Sequence, residues 1–261
     1  MSSADTGTVS CTVDEQGVAH LLLDRPDKLN ALTLAMVADL EGCIRELDST
    51  TRALVLRSAG EKVFSVGADL NQVRALSAVE MAREWLAVGH RAFNLLAQAP
   101  YPTIAVIDGI ALGGGLELAL ACDLRVMTDG AQVGLPETGI GAIPGWGGVT
   151  RLTQLVNAGR AADLILTRRR LTADEALDWG IVSRVVARAE LEPCIDDIVQ
   201  ALLTGSPVAQ QVAKSVIAAA AAGVPAHLVE PWAGGVAQAS NDLREGTDAF
   251  FNKRPPRFTN S

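Results

Sequence analysis

Apolar residues fall along this chain in two alternating rhythms. Short apolar or β-branched runs lie at residues 18–23, 53–56, 103–107, 124–127, 132–135 and 181–186. Most are closed by turn residues such as Arg25-Pro26-Asp27, Ser58-Ala59-Gly60 and Asp108-Gly109. Runs of this length between turn signals predict buried strands. Helical spacing separates them. Thr33 can cap a helix carrying Leu34, Val37, Leu40, Ile44 and Leu47. Residues 78–97 predict a long helix with Met81, Trp85, Val88, Ala92 and Leu95 on one face, ended by Pro100 and Pro102. Thr172 with Glu175 spells a capping box, and Gly180 stops that helix. Beyond Ala189 the pattern is helical only, with starts at Ser206-Pro207, Pro225 and Ser240. Alternating strands and helices predict an α/β fold. A boundary is expected near residue 190, between an α/β core (1–190) and a C-terminal helical region (191–261).

Composition narrows the class. The 261 residues are 49% hydrophobic and 20% charged, enough apolar content for a large core and neither disordered nor membrane-spanning. No apolar run reaches the length of a membrane span. The opening MSSADTGTVS has no basic or apolar leader segment, so the expected setting is cytoplasmic. A net charge of −8 argues against nucleic acid as the main partner. Cys11, Cys43, Cys122 and Cys194 are scattered, which predicts free thiols and no metal site. His20, His90 and His227 are equally dispersed, so neither a zinc cluster nor a Ser-His-Asp arrangement suggests itself.

Chemistry concentrates in residues 104–124. A strand and turn lead into Gly113-Gly114-Gly115, then into an apolar helix interrupted by Glu117. A buried carboxylate needs a partner or a task, because leaving water costs several kcal/mol. General acid or base work is one such task, and a structural pairing is the other. Glycines before a helix expose backbone N–H groups to close approach, which suits an oxyanion, although a tight connection needs glycine too. No GxGxxG is present, and no P-loop lysine follows.

Two further segments stand out. Residues 64–70 form a short apolar run through Gly67, with Asp69 placed to cap a helix. Residues 136–148 make a long, nearly uncharged Gly/Pro loop with Glu137 near its start, read as ordered and functional. Glu137 by itself fits a turn, a cap or catalysis. The run Arg168-Arg169-Arg170 fits a solvated face or a phosphate contact.

Taken in order, these pieces resemble the crotonase, or enoyl-CoA hydratase/isomerase, superfamily across nearly the whole chain. The carrying residues are Arg25-Pro26 with Leu29-Asn30-Ala31-Leu32, residues 64–70, residues 104–124, Leu135-Pro136-Glu137, Ile143-Pro144-Gly145, and Glu245-Gly246 through Lys253-Arg254. The resemblance implies a right-handed spiral of ββα units, with a C-terminal helical region used for trimerisation and a homotrimer or dimer-of-trimers homohexamer. It implies an acyl-CoA thioester as substrate, with coenzyme A part of that substrate and no separate cofactor, metal, nucleic acid or membrane partner.

Residue by residue, the resemblance implies Glu117 and Glu137 as the catalytic carboxylates, and the amides of Ala68 and Gly114 as the oxyanion hole. It implies coenzyme A contacts along Ala68, Asp69, Leu70 and Asn71, near Lys28, and from Lys253 of the same or a neighbouring subunit. Three departures bear on the acyl group. Trp146 stands where a small residue is usual, and either narrows the acyl pocket or packs outward. Val66 stands where Ala or Cys is common, and Arg168 follows the strand-like Ile165-Leu166-Thr167 in place of a frequent Gly. The implied reaction is hydration of a trans-2-enoyl-CoA, as in the lyases of fatty acid metabolism. Enolate-based isomerisation and a non-catalytic binding homologue are the alternatives.

Overall fold

The computed structural model describes residues 7–261. The first part of the N-terminal stretch read for targeting therefore lies outside the described residues. The described residues form ten strands: β1 (Thr8–Val13), β2 (Val18–Asp24), β3 (Ala53–Ser58), β4 (Val63–Ser65), β5 (Thr103–Ile107), β6 (Ile110–Leu112), β7 (Leu124–Thr128), β8 (Gln132–Gly134), β9 (Leu171–Thr172) and β10 (Arg184–Val186). Six form one sheet in the order β1-β2-β3-β5-β7-β10, and four form a second in the order β4-β6-β8-β9. Within the large sheet only the β1–β2 pair is antiparallel.

The strand orders describe a coil. β3 in the large sheet leads to β4 in the small one, β5 leads to β6, and β7 leads to β8, each pair followed by helix. This is the expected succession of ββα units. The central strands read as unbroken apolar runs because both faces of the sheet are covered. Leu54, Leu56, Ala105 and Ile107 face the main core, while Ala53, Val55, Ile104 and Val106 alternate to the other face. That second face is closed by Leu191, Ile195 and Ile198 of the Leu191–Leu203 helix. The division expected near residue 190 thus falls just before a helix that packs on the sheet.

Past this helix, the Pro207–Ala221 and Ala226–Ala239 helices bury no residue within the chain. Ile217, Leu228, Trp232, Val236, Phe250 and Phe251 are exposed. No helix of the described residues is long and apolar enough to cross a membrane.

The local expectations hold at the caps. Thr33 accepts the Met36 amide, and Thr172 and Glu175 complete their reciprocal capping box. Two differ. Ile165, Leu166 and Thr167 end the Ala158–Thr167 helix and are not a strand. Arg168 follows as its left-handed C-cap at φ 61°, a conformation glycine adopts most easily, so an arginine there is tolerated but strained. The long helix before β5 opens with an α-helical turn at Ala78–Glu80, capped by Ser77, passes through π-helical turns at Met81–Leu86 and continues as Ala87–Ala97. Its fully buried residues are Trp85, Gly89, Ala92, Phe93 and Leu96, so Trp85 and Ala92 of the expected stripe are buried while Met81, Val88 and Leu95 pack partly buried against the same core. Apolar periodicity undercounts a glycine that meets a neighbour directly, and Gly89 is such a residue. β1 and the short strands β4, β6 and β9 are additions to the sequence reading.

Candidate active site

A cavity of about 610 Å³ opens where the coil presents its loops. One wall is residues 25–32 laid against residues 66–71. Asn30 is buried in the left-handed conformation at φ 51°. Its side chain accepts the Arg25 amide at 2.9 Å and donates to the carbonyls of Ala59 at 2.9 Å and Val63 at 3.0 Å. The Arg25 guanidinium meets Asp69 at 2.7 Å, both side chains nearly out of solvent, and donates to Ala31 O at 3.0 Å. Burial alone would raise the Asp69 carboxyl. The guanidinium and the Asn71 amide outweigh it and hold the group below its usual value. Asp69 also caps the short Leu70–Val73 helix.

This frame sets the backbone of Ala68. Leu32 donates to Gly67 O at 2.7 Å, and Asp69 donates to Leu32 O at 2.9 Å. The Ala68 amide between them donates to no carbonyl among the described residues. Gly67, at φ 89°, lies directly on the glycine turn, since a β-carbon there would sit 2.7 Å from the Gly114 nitrogen. Gly114 begins a helix, and its amide likewise donates to no carbonyl among the described residues. Two uncommitted amides from separate segments therefore meet at the cavity wall.

Glu117, on the buried Gly114–Leu120 helix, is 2% exposed and lines the same cavity. Its Oε1 accepts the amides of Trp146 and Gly148, each at 2.8 Å, and its Oε2 accepts Gly145 at 3.3 Å. Burial pushes its carboxyl above the usual range, against the pull of those three amides and of the Arg151 guanidinium. Arg151 clamps the loop by donating to Trp146 O at 2.9 Å and to Asn94 Oδ1 at 2.6 Å.

Glu137 enters from the start of the same loop, in the Glu137–Ile140 turn. Its Oε1 lies over Gly113, where a β-carbon would be 2.9 Å away. Its Oε2 is buried, with no hydrogen-bond partner among the described residues. Burial, assisted by the nearby Glu117, raises its carboxyl to about 7. Two carboxyls on one cavity thus differ, one gripped by three loop amides and the other with one buried oxygen unpartnered among the described residues.

The remaining expected residues divide. Val66, Asp69, Leu70, Asn71 and Lys28 line the cavity. Trp146 packs inward, 2% exposed, and its ring forms part of the wall. Lys253 is exposed in the C-terminal tail and does not line the cavity within this chain. Met81, Trp85 and Leu86, from the π-helical turns, also line it, although the sequence reading places Met81 and Trp85 only on a helix face and does not name Leu86. The usable signal was aromatic and long apolar residues placed one turn before Gly89. Among the described residues, no group of three or more His, Cys, Asp or Glu side chains is placed to hold a metal ion.

Known proteins resemble this chain over nearly its whole length. A family model described as enoyl-CoA hydratase/isomerase matches residues 14–261. A relative in Bacillus subtilis (strain 168), named a putative enoyl-CoA hydratase/isomerase, is 40% identical over 250 residues, covering 93% of this chain and 95% of its own. The crotonyl-CoA hydratase of Syntrophomonas wolfei is 37% identical over 252 residues, covering 94% of this chain and 95% of its own. The crystal structure of an enoyl-CoA hydratase from Bacillus anthracis matches with a TM-score of 0.92 at 35% identity, covering 97% of this chain and 100% of that one. The chain belongs to the enoyl-CoA hydratase/isomerase family.

Proposed function

We propose that this enzyme is an enoyl-CoA hydratase, adding water across the 2,3-double bond of a trans-2-enoyl-CoA to give a 3-hydroxyacyl-CoA. The carrying observation is the unequal pair of buried carboxyls, Glu117 held by three amides and Glu137 with a bare oxygen. The Ala68 and Gly114 amides take the thioester carbonyl oxygen. Negative charge grows there as the enolate forms, so these donors favour the transition state over the ground state. Glu117, oriented by its amides, accepts a proton from water as the oxygen bonds to C3. Glu137, protonated near neutrality, gives its proton to C2. One proton is gained by Glu117 and one lost by Glu137, and exchange with solvent resets both.

Coenzyme A contacts at Lys28 and along Ala68, Asp69, Leu70 and Asn71 follow from the same placement of the thioester, since all of them line the cavity. Lys253 is read as a contact to the coenzyme A phosphates made from a neighbouring subunit. The exposed apolar residues of the C-terminal helices support assembly as a homotrimer or a dimer of trimers.

The reading is tested by following loss of the conjugated enoyl-thioester absorbance with crotonyl-CoA. Wild type should consume the substrate, and Glu117→Gln and Glu137→Gln should each lose about 10²-fold or more in rate. Turnover by Glu137→Gln within a few-fold of wild type would remove Glu137 from the mechanism.

A further inference from the structure

The loop that supplies amides to Glu117 also carries an indole held by Trp85, Phe93, Gly89 and Gly114. Trp146 Nε1 donates to the carbonyl of Trp85 at 3.2 Å. The ring stacks on Trp85 with centroids 5.3 Å apart and planes at 29°. It meets Phe93 edge-on at 5.1 Å. Gly89 makes room for it, since a β-carbon there would overlap Nε1, Cδ1 and Cε2. The opposite edge rests on the glycine turn. A β-carbon at Gly114 would lie 2.8 Å from Cζ3 and 2.9 Å from Cε3. The indole therefore spans from the Ala87–Ala97 helix to the residue whose amide faces the cavity.

We propose that Trp146, seated by Gly89 and backed by Trp85, is the end wall of the acyl compartment and restricts the enzyme to short, unbranched enoyl thioesters of the crotonyl kind. This rests on the thioester reading above. A carbonyl held by Ala68 and Gly114 puts its α- and β-carbons between Glu117 and Glu137. The tail beyond them meets the indole, because the ring edge touches Gly114 itself. A single methyl ends there. A longer tail must displace a ring that is hydrogen-bonded, stacked and recessed into the helix. Rigid pockets reject each methylene beyond their length by about ten-fold or more. An unwalled apolar pocket would do the reverse and favour longer tails.

The test compares kcat/KM for crotonyl-CoA and octenoyl-CoA in wild type and Trp146→Ala. Wild type should favour crotonyl-CoA by about a hundred-fold, and the variant should shift that ratio at least ten-fold toward octenoyl-CoA. Equal use of both substrates by wild type, or an unchanged ratio in a folded variant, overturns the proposal. If the variant does not fold, competition binding of butyryl-CoA and octanoyl-CoA to wild type decides. Tighter butyryl-CoA supports the wall, and equal or tighter octanoyl-CoA removes it. The two readings separate cleanly. Hydration of both chain lengths alike retains the hydratase and discards the wall. Selective binding of butyryl-CoA without any hydration retains the wall and discards the hydratase.

Discussion

Oε1 of Glu117 accepts the backbone amide of Trp146 at 2.8 Å, so one residue both grips the carboxylate proposed as the base and walls the cavity. The grip uses the main chain and the wall uses the side chain. Glu117→Gln keeps the volume but turns an amide NH₂ toward backbone donors it cannot bond. Hydration should fall by about 10² to 10⁴-fold, with KM for the thioester changed far less. Steady-state kinetics checks this, and a loss confined to KM would contradict it.

Glu137 has the opposite character and predicts two linked pH effects. Its carboxyl is raised from 4.5 to about 7 by burial. Since the proposed step needs the protonated form, kcat for hydration should decline as pH rises through about 7 and follow one ionisation. The folded state holds this proton where the unfolded chain has released it. Stability from this group therefore falls as pH rises between 4.5 and about 7. Glu137→Gln should abolish the kinetic decline along with activity, yet raise stability at pH 8 by about 1 kcal/mol. Thermal melts at pH 5 and pH 8 measure the difference.

The Arg25–Asp69 pair at 2.7 Å ties the first loop to the segment that presents Ala68. Removing Asp69 takes away a charge-assisted hydrogen bond between two nearly buried side chains, so Asp69→Ala should cost about 1.5 to 3 kcal/mol. Asp69 is held below its usual 3.8, so its contribution is present above that pH and is lost as pH falls through the lower folded value. Acid unfolding of the wild type should therefore include a stability loss below pH 3.8 that the variant lacks. Urea unfolding across acidic pH is the check.

Gly89 gives a prediction in which helix propensity and packing oppose each other. Alanine is the better helix former by about 0.5 to 1 kcal/mol. The added methyl would nevertheless overlap the Trp146 indole. Overpacking should win, and Gly89→Ala should destabilise by about 1 to 3 kcal/mol. A melting temperature at or above wild type would show that the indole yields easily, and would weaken the end wall with it.

Much of this was legible in the chain. The central strands announce themselves as continuous apolar runs because the sheet is buried on both faces. Thr33, Thr172 and Ser240 cap helices by local hydrogen bonds that need no tertiary context. Glu117 stood out because a carboxylate inside an apolar helix demands donors, and the structure supplies three. The donors themselves were not legible, since they are main-chain groups of a loop 28 to 31 residues away. Nor was the inward turn of Trp146. That depends on the absence of a side chain at Gly89, and the π-helical turns just before it bring Trp85 and Met81 into the cavity wall. Ile165 to Thr167 misled because a short apolar run has no period of its own, and its neighbours make it the end of a helix.

The most direct test of the central claim is to incubate the wild-type enzyme with crotonyl-CoA in heavy-oxygen water and weigh the product. The account predicts 3-hydroxybutyryl-CoA carrying one heavy oxygen at C3, formed by wild type and not by Glu137→Gln. A product of unchanged mass with a migrated double bond, or substrate bound but returned without oxygen uptake, would contradict it.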